Sequence, residues 1–198
     1  MNREIQAVGL DIGTSKVRCI IGEPSDGGAM NIIGVGQAES RGLRRGIVTT
    51  TDAVAESIKK AVEIAERMSG AEIQMATVNL SGEHLQGENK SGVVAVAGVG
   101  REITTEDVER AVQSASAMQL PAGWKIVDRL PQEFIIDGQD GIVEPIGMHG
   151  ARLESRIHIL TSPSAGGQNM VKAIHRAGLE IENMVLEPLA AANSTLSD

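Results

Sequence analysis

The chain has 198 residues, 41% of them apolar, enough for one full domain or two small ones with an ordinary core. Trp124 and Phe134 are its only aromatic residues, which makes the core aliphatic and argues against base-stacking platforms, and a formal charge of −8 makes the average surface repel nucleic acid. Cys19 is the sole cysteine, so an internal disulfide is excluded and a reducing cytoplasm is the natural setting; no window approaches the roughly 18 apolar residues of a membrane span.

Val8, Leu10 and Ile12 alternate with small or polar neighbours, as do Val17, Cys19 and Ile21, so each set reads as a strand. Gly13, Thr14 and Ser15 join them. The run MNIIGVGQAES after the turn formers PSDGG predicts a third, antiparallel strand. Arg41, Arg44 and Arg45 then form the one short basic cluster, which reads as a solvated turn.

From Thr51 the spacing of Val54, Ile58, Ala61, Val62, Ala65 and Met68 predicts a helix, capped by Thr50 or Thr51 and stopped at Gly70. IQMATVNLSG returns to alternation and predicts a fourth strand beside the first, reached by the helical crossover. Strand, strand, strand, helix, strand is an α/β beginning.

After Ser81 the texture changes. SGVVAVAG reads as a short strand, and TTEDVERAVQSASAMQ as a helix opened by a capping box from Thr104 to Asp107. WKIVDRLPQEFIID predicts a strand interrupted at Pro131, which suits an edge or a bulge, and ARLESRIHIL predicts another. These elements make a small α+β unit between about 81 and 160. A helix over about 164–177 follows, with Val171, Ile174 and Ala177 inward, Gly178 as its stop and Ser162 or Ser164 as its cap. Ile181 to Leu186 then forms a strand, and EPLAAANSTL opens a helix with Pro188 in its first turn.

In LDIGTSKV an acid at the end of a buried strand precedes a glycine, two hydroxyls and a lysine. Successive amides of such a turn make an anion-binding nest, Thr14 and Ser15 add donors, Lys16 adds a point charge, and Asp11 can hold a hydrated divalent ion. An ordinary hairpin with a solvated lysine fits the same spacing, so the motif alone leaves both readings open. His84, His149, His158 and His175 lack metal-ligand spacing, and TSPSAGGQNMVK lacks the lysine-hydroxyl ending of a glycine-rich phosphate loop.

The opening resembles the first phosphate motif of the actin, Hsp70 and sugar-kinase superfamily. Four further segments, NIIGVGQAESRGLRRGIVTTTDAVAESIKKAVEIAERMSG, NLSGEHL, LPQEFIIDGQDGIVEPIGMHGARLESRIHIL and KAIHRAGLEIENMVLEPLAAANSTL, resemble the bacterial FtsA family. That resemblance implies a ribonuclease-H-like actin-type subdomain IA over residues 1–80 and 161–198, with an SHS2-like α+β subdomain IC inserted at 81–160. It implies ATP and Mg2+ as cofactors of the intact protein, held by Asp11, Gly13, Thr14, Ser15 and Lys16, with Asp11 approaching the metal through water. Glu187 in EPLAAA stands where the superfamily places an acid or amide facing the metal and the attacking water, and is the candidate catalytic residue.

The resemblance further implies a protein that tethers FtsZ filaments to the cytoplasmic face of the inner membrane at the division septum, self-associates into filaments, and recruits later division proteins through IC. It implies at most a weak ATPase. The second phosphate motif, the adenosine loop, the region that binds FtsZ and a C-terminal membrane helix are expected beyond residue 198, so the 198 residues alone are expected to bind ATP weakly. The alternatives are a PilM-like pilus-assembly protein and half of a small-molecule kinase of the same superfamily; no acceptor site or catalytic base supports the kinase.

Overall fold

A computed structural model describes residues 7–25, 29–96 and 101–196. It divides the chain into two units: residues 1–84 together with 165–198, and residues 85–164.

The first unit opens with the antiparallel meander β1 (Ala7–Ile12), β2 (Lys16–Pro24) and β3 (Met30–Glu39). A two-strand hairpin follows, β4 (Leu43–Arg44) and β5 (Ile47–Val48). Its turn residues Arg45 and Gly46 both have positive φ, 51° and 76°, the primed geometry that matches strand twist. Arginine is a poor residue for that geometry, so no pattern announced the hairpin where the sequence predicts only a solvated turn.

Helix α1 (Thr51–Ser69) buries Val54, Ile58, Ala61, Val62 and Ala65, a stripe at helical spacing. Thr50 sits at the N-cap position in extended conformation, but its side chain makes no capping bond; Gly70 at φ 69° ends the helix by returning its N–H to Glu66 O. Strand β6 (Met75–Leu80) then lies parallel to β1. After the second unit come α3 (Ser164–Arg176), β11 (Glu180–Leu186), parallel to β6, and α4 (Glu187–Thr195). In α3 Ala173 and Ile174 are buried and Ala177 packs, partly buried, against the same core; Val171 is partly exposed, because Ala173 takes the inward place beside Ile174. Ser162 donates its hydroxyl to Pro163 O at 3.2 Å rather than accepting from an α3 amide.

The sheet order is β11-β6-β1-β2-β3. Its core face carries Val8, Leu10, Ile12, Val17, Cys19, Ile21, Ala76 and Val78 against α1 and against Ala173 and Ile174 of α3. Each fully buried side chain of the size of Ile21 or Ile58 contributes about 1.5–3 kcal/mol. Gly36 lets α1 come this close: a Cβ there would lie 1.8 Å from Ala61 O.

The second unit is an antiparallel sheet, β7-β10-β8-β9, with one helix on it: β7 (Gln86–Ala95), α2 (Thr105–Ala115), β8 (Trp124–Ile136), β9 (Gln139–Ile142) and β10 (Arg152–Pro163). Strand β7 starts five residues before SGVVAVAG, and the last two residues of that run, 97 and 98, lie outside the described residues. The capping box forms: Thr104 Oγ1 accepts from Asp107 N at 3.3 Å while Asp107 Oδ2 accepts from Thr104 N at 3.0 Å. The helix ends at Ala115, a turn short of the predicted Gln119, and Met118 packs from the loop against Ile157 and Ile159.

Strand β8 is continuous through Pro131. Pro131 pairs with Ile157 while Glu133 pairs with Arg156, so Gln132 is an extra, bulged residue, and β9 reaches only residues 134–136 on the other side. Proline is thus tolerated beside a bulge on a locally open edge, where its missing N–H breaks no ladder. The Asp137–Gly138 turn, φ 49° and 93°, carries the chain into β9, a four-residue strand too polar to show as alternation. Among the described residues no helix is long and apolar enough to cross a membrane.

Candidate functional site

Parallel pairing brings the carboxyl ends of β1, β6 and β11 together, with Leu186 level with Leu80 and Leu10 level with Val78. In open α/β sheets ligands bind outside such ends. The residues that emerge there are Asp11 from β1, Asn79 from β6 and Glu187 at the β11–α4 junction.

Asp11 and Asn79 alternate with core residues and face away from α1. The Asn79 amide accepts from Ile12 N at 2.7 Å and donates to Asp11 Oδ1 at 2.8 Å, so it fixes both the backbone and the carboxylate at the end of β1. On its other side Asp11 Oδ2 lies 3.5 Å from Arg18 Nη1. Burial and, second, the charge of Glu187 raise the Asp11 carboxyl above its ordinary value, against the opposing pull of Arg18. Glu187 is exposed.

The turn that follows spends one of its amides on itself: Gly13 N donates to Lys16 O at 3.0 Å. The amides of Thr14 and Ser15 meet no acceptor among the described residues, and both residues are exposed. Thr14 Oγ1 accepts from Gly46 N at 3.1 Å, and Ser15 O accepts from Ser40 N at 3.1 Å, so the turn is tied to the β4–β5 hairpin and to the end of β3. Lys16 is exposed and its ammonium has no partner among the described residues.

The structure therefore gathers Asp11, Gly13, Thr14, Ser15, Lys16 and Glu187 at one end of one sheet. The loop offers two free amides, two hydroxyls and an ammonium to an anion; Asp11 and Glu187 offer hard oxygen donors. That donor set fits an ion such as Mg2+, which keeps most of its waters and takes one or two carboxylates. Among the described residues no group of three or more His, Cys, Asp or Glu could hold a metal directly.

Asn79 and Arg18 escaped the sequence. An asparagine next to last in an alternating strand is the one signal TVNLSG offered, since asparagine is depleted from strands without a polar task. Arg18 had no signal, because an exposed arginine on a half-buried strand is ordinary. The arginine cluster at 41–45 is solvated: Arg41 pairs with Glu39 and Arg45 with Glu83, both on exposed side chains. The histidines are separate, His158 bonding Asn89 at 2.6 Å and His175 lying 3.4 Å from Glu180.

The family model described as the SHS2 domain inserted in FTSA matches residues 82–161. The cell division protein FtsA of Neisseria meningitidis serogroup B is 44% identical over 189 residues, covering 96% of this chain and 45% of that protein. That of Bacillus subtilis is 40% identical over 197 residues, covering 100% of this chain and 44% of that protein. The chain thus spans slightly less than half the length of these relatives. Among solved structures, a chain of a PilM-PilN type IV pilus biogenesis complex superposes with TM-score 0.66 at 15% identity, covering 96% of this chain and 49% of that one, a likeness of fold alone. The fold is of the actin type, with an SHS2 domain inserted in it.

Proposed function

Because the chain belongs to the FtsA family, we propose that it carries one side of an ATP site in a protein of bacterial cell division. The observation that supports this is the convergence of the open amide turn at Thr14 and Ser15 with Asp11, Asn79 and Glu187 at the carboxyl ends of three parallel strands. Lys16 and the amides of Thr14 and Ser15 take the terminal phosphates. Asp11, oriented by Asn79, would hold Mg2+ through its waters, the ion's charge would offset that of the phosphates, and Glu187 would face the attacking water. In the intact protein ATP then organises an adaptor that links FtsZ filaments to the membrane, self-associates, and recruits later division proteins through its SHS2 unit.

Thr14, Ser15 and Lys16 lie on an exposed shelf, and tight ligand binding needs enclosure. The 198-residue chain is accordingly expected to bind MgATP weakly, and Lys16→Ala to remove what binding there is. Titration calorimetry checks both; micromolar affinity, or binding indifferent to Lys16, contradicts this account of the site. Depleting the protein from its host should give long cells without septa, and normally dividing depleted cells would overturn the role in division.

A further inference from the structure

The sheet face opposite α1 carries a row of four polar side chains, one from each of four neighbouring strands. Asn79 Nδ2 donates to Asp11 Oδ1 at 2.8 Å, Asp11 Oδ2 lies 3.5 Å from Arg18 Nη1, and Arg18 Nε donates to Gln37 Oε1 at 3.3 Å. The row follows the ladder: Asp11 is directly opposite Arg18, and Arg18 directly opposite Gln37. Asn79 is the fixed end. The other end is loose, for Arg18 and Gln37 are both exposed and the Arg18–Asp11 contact is long for an ion pair.

Arg18 thus stands on the carboxylate oxygen that Asn79 leaves free, the one a hydrated divalent cation would use. We propose that Arg18 is a displaceable counter-ion at this site: it neutralises Asp11 when no divalent cation is present and must withdraw toward Gln37 for one to bind. The inference rests on reading Asp11 as the cation-facing acid, and adds that the cation competes with a built-in guanidinium. An arginine suits the task because its charge is permanent and its fork can keep one N–H on Gln37 while another releases Asp11. The second carboxylate, Glu187, makes the exchange favourable, since one guanidinium offsets one acid where a divalent ion offsets two.

The test is Mn2+ binding to the 198-residue chain, read from the loss of the free-ion electron paramagnetic resonance signal, with a far-UV circular dichroism melt for each variant. Arg18→Gln should tighten Mn2+ binding about 2- to 5-fold, the range an exposed ion pair sustains. Gln37→Glu, which draws Arg18 away without removing it, should act in the same direction and carries the test if Arg18→Gln does not fold. Arg41→Gln, which removes the same charge from its pair with Glu39, is the control for charge alone. If Arg18→Gln shifts the affinity no more than Arg41→Gln, the proposal is overturned, and loss of binding in Asp11→Asn then leaves the cation site standing. Undiminished Mn2+ binding by Asp11→Asn would remove the site, and the role of Arg18 with it.

Discussion

Helix α1 sits on Gly34 and Gly36 through Ala61 and Ala65, and helix α2 sits on Gly92 through Ala111 and Ala115. In each unit a helix presents alanines to a strand that presents glycine, so backbone meets backbone with almost nothing between. The sheets beneath differ. The first mixes parallel and antiparallel strands, and its parallel members end side by side with polar residues at their tips; the second is wholly antiparallel and closes β8 onto β9 with a tight turn. A helix seat is therefore a packing device that either unit can use, whereas a gathered set of amides and carboxylates follows from parallel ends. The lone tryptophan, Trp124, belongs to the second unit, so its fluorescence follows that unit while circular dichroism follows both.

The seats give the largest expected effects. A Cβ at Gly36 would lie 1.8 Å from Ala61 O, and one at Gly92 would lie 2.1 Å from Ala115 N, so either glycine changed to alanine forces its helix off its sheet. Each should cost about 3 kcal/mol or more in urea unfolding. Gly92→Ala should shift the tryptophan transition, while Gly36→Ala should leave it in place and move only the dichroism. If both variants move both signals together, the two units unfold as one.

Thr104→Ala comes next. Losing the capping box should cost about 1 kcal/mol, seen in the tryptophan transition.

Acid should then separate the units by sign. Bonds from the Thr104 backbone and hydroxyl, helped by the Arg110 guanidinium, hold Asp107 at about 2, below its ordinary 3.8. Its contribution is therefore complete above pH 3.8 and is lost as the pH falls through about 2. Asp11 is shifted the other way, so its charged form opposes folding, and that penalty is relieved as the pH falls through its raised value toward 3.8. Asp107→Asn should lower stability at pH 7 and not at pH 2; Asp11→Asn should raise it slightly at pH 7 and not below pH 3.8. Equal signs for the two variants would refute the assignment.

The smallest effect is expected at Ser155, fully buried beneath α2 with no partner for its hydroxyl among the described residues. Ser155→Ala should change stability by less than about 0.5 kcal/mol or raise it, because it removes an unmet donor. A loss above about 1 kcal/mol would mean that the hydroxyl has a partner.

Much of the fold could be read from the chain because its signals were local. Period-two alternation in β1, β2 and β3, the long stripe of α1, and the Thr104–Asp107 box each need only a dozen residues. What could not be read depended on contacts made elsewhere: Pro131 is accommodated by a bulge at Gln132 that only pairing with β10 reveals, and Val171 yields to Ala173 only once α3 is on its sheet. The loop from Gly13 to Lys16 was visible as a motif. Asn79 and Arg18 were not, because what makes them part of the site is their place across a ladder, 68 and 7 residues from Asp11.

The row from Asn79 to Gln37 has a consequence for how this site can vary. Asp11 stands between Leu10 and Ile12, Arg18 between Val17 and Cys19, Asn79 between Val78 and Leu80, and Gln37 between Gly36 and Ala38. Each site residue thus has the opposite parity to its neighbours in the strand, and the two faces of one sheet carry separate instructions, one for folding and one for chemistry. Substitutions on one face leave the other's message intact, so the ligand chemistry of this surface is free to drift while the core stays fixed; only an insertion or deletion of a single residue, which exchanges the faces, would corrupt both at once.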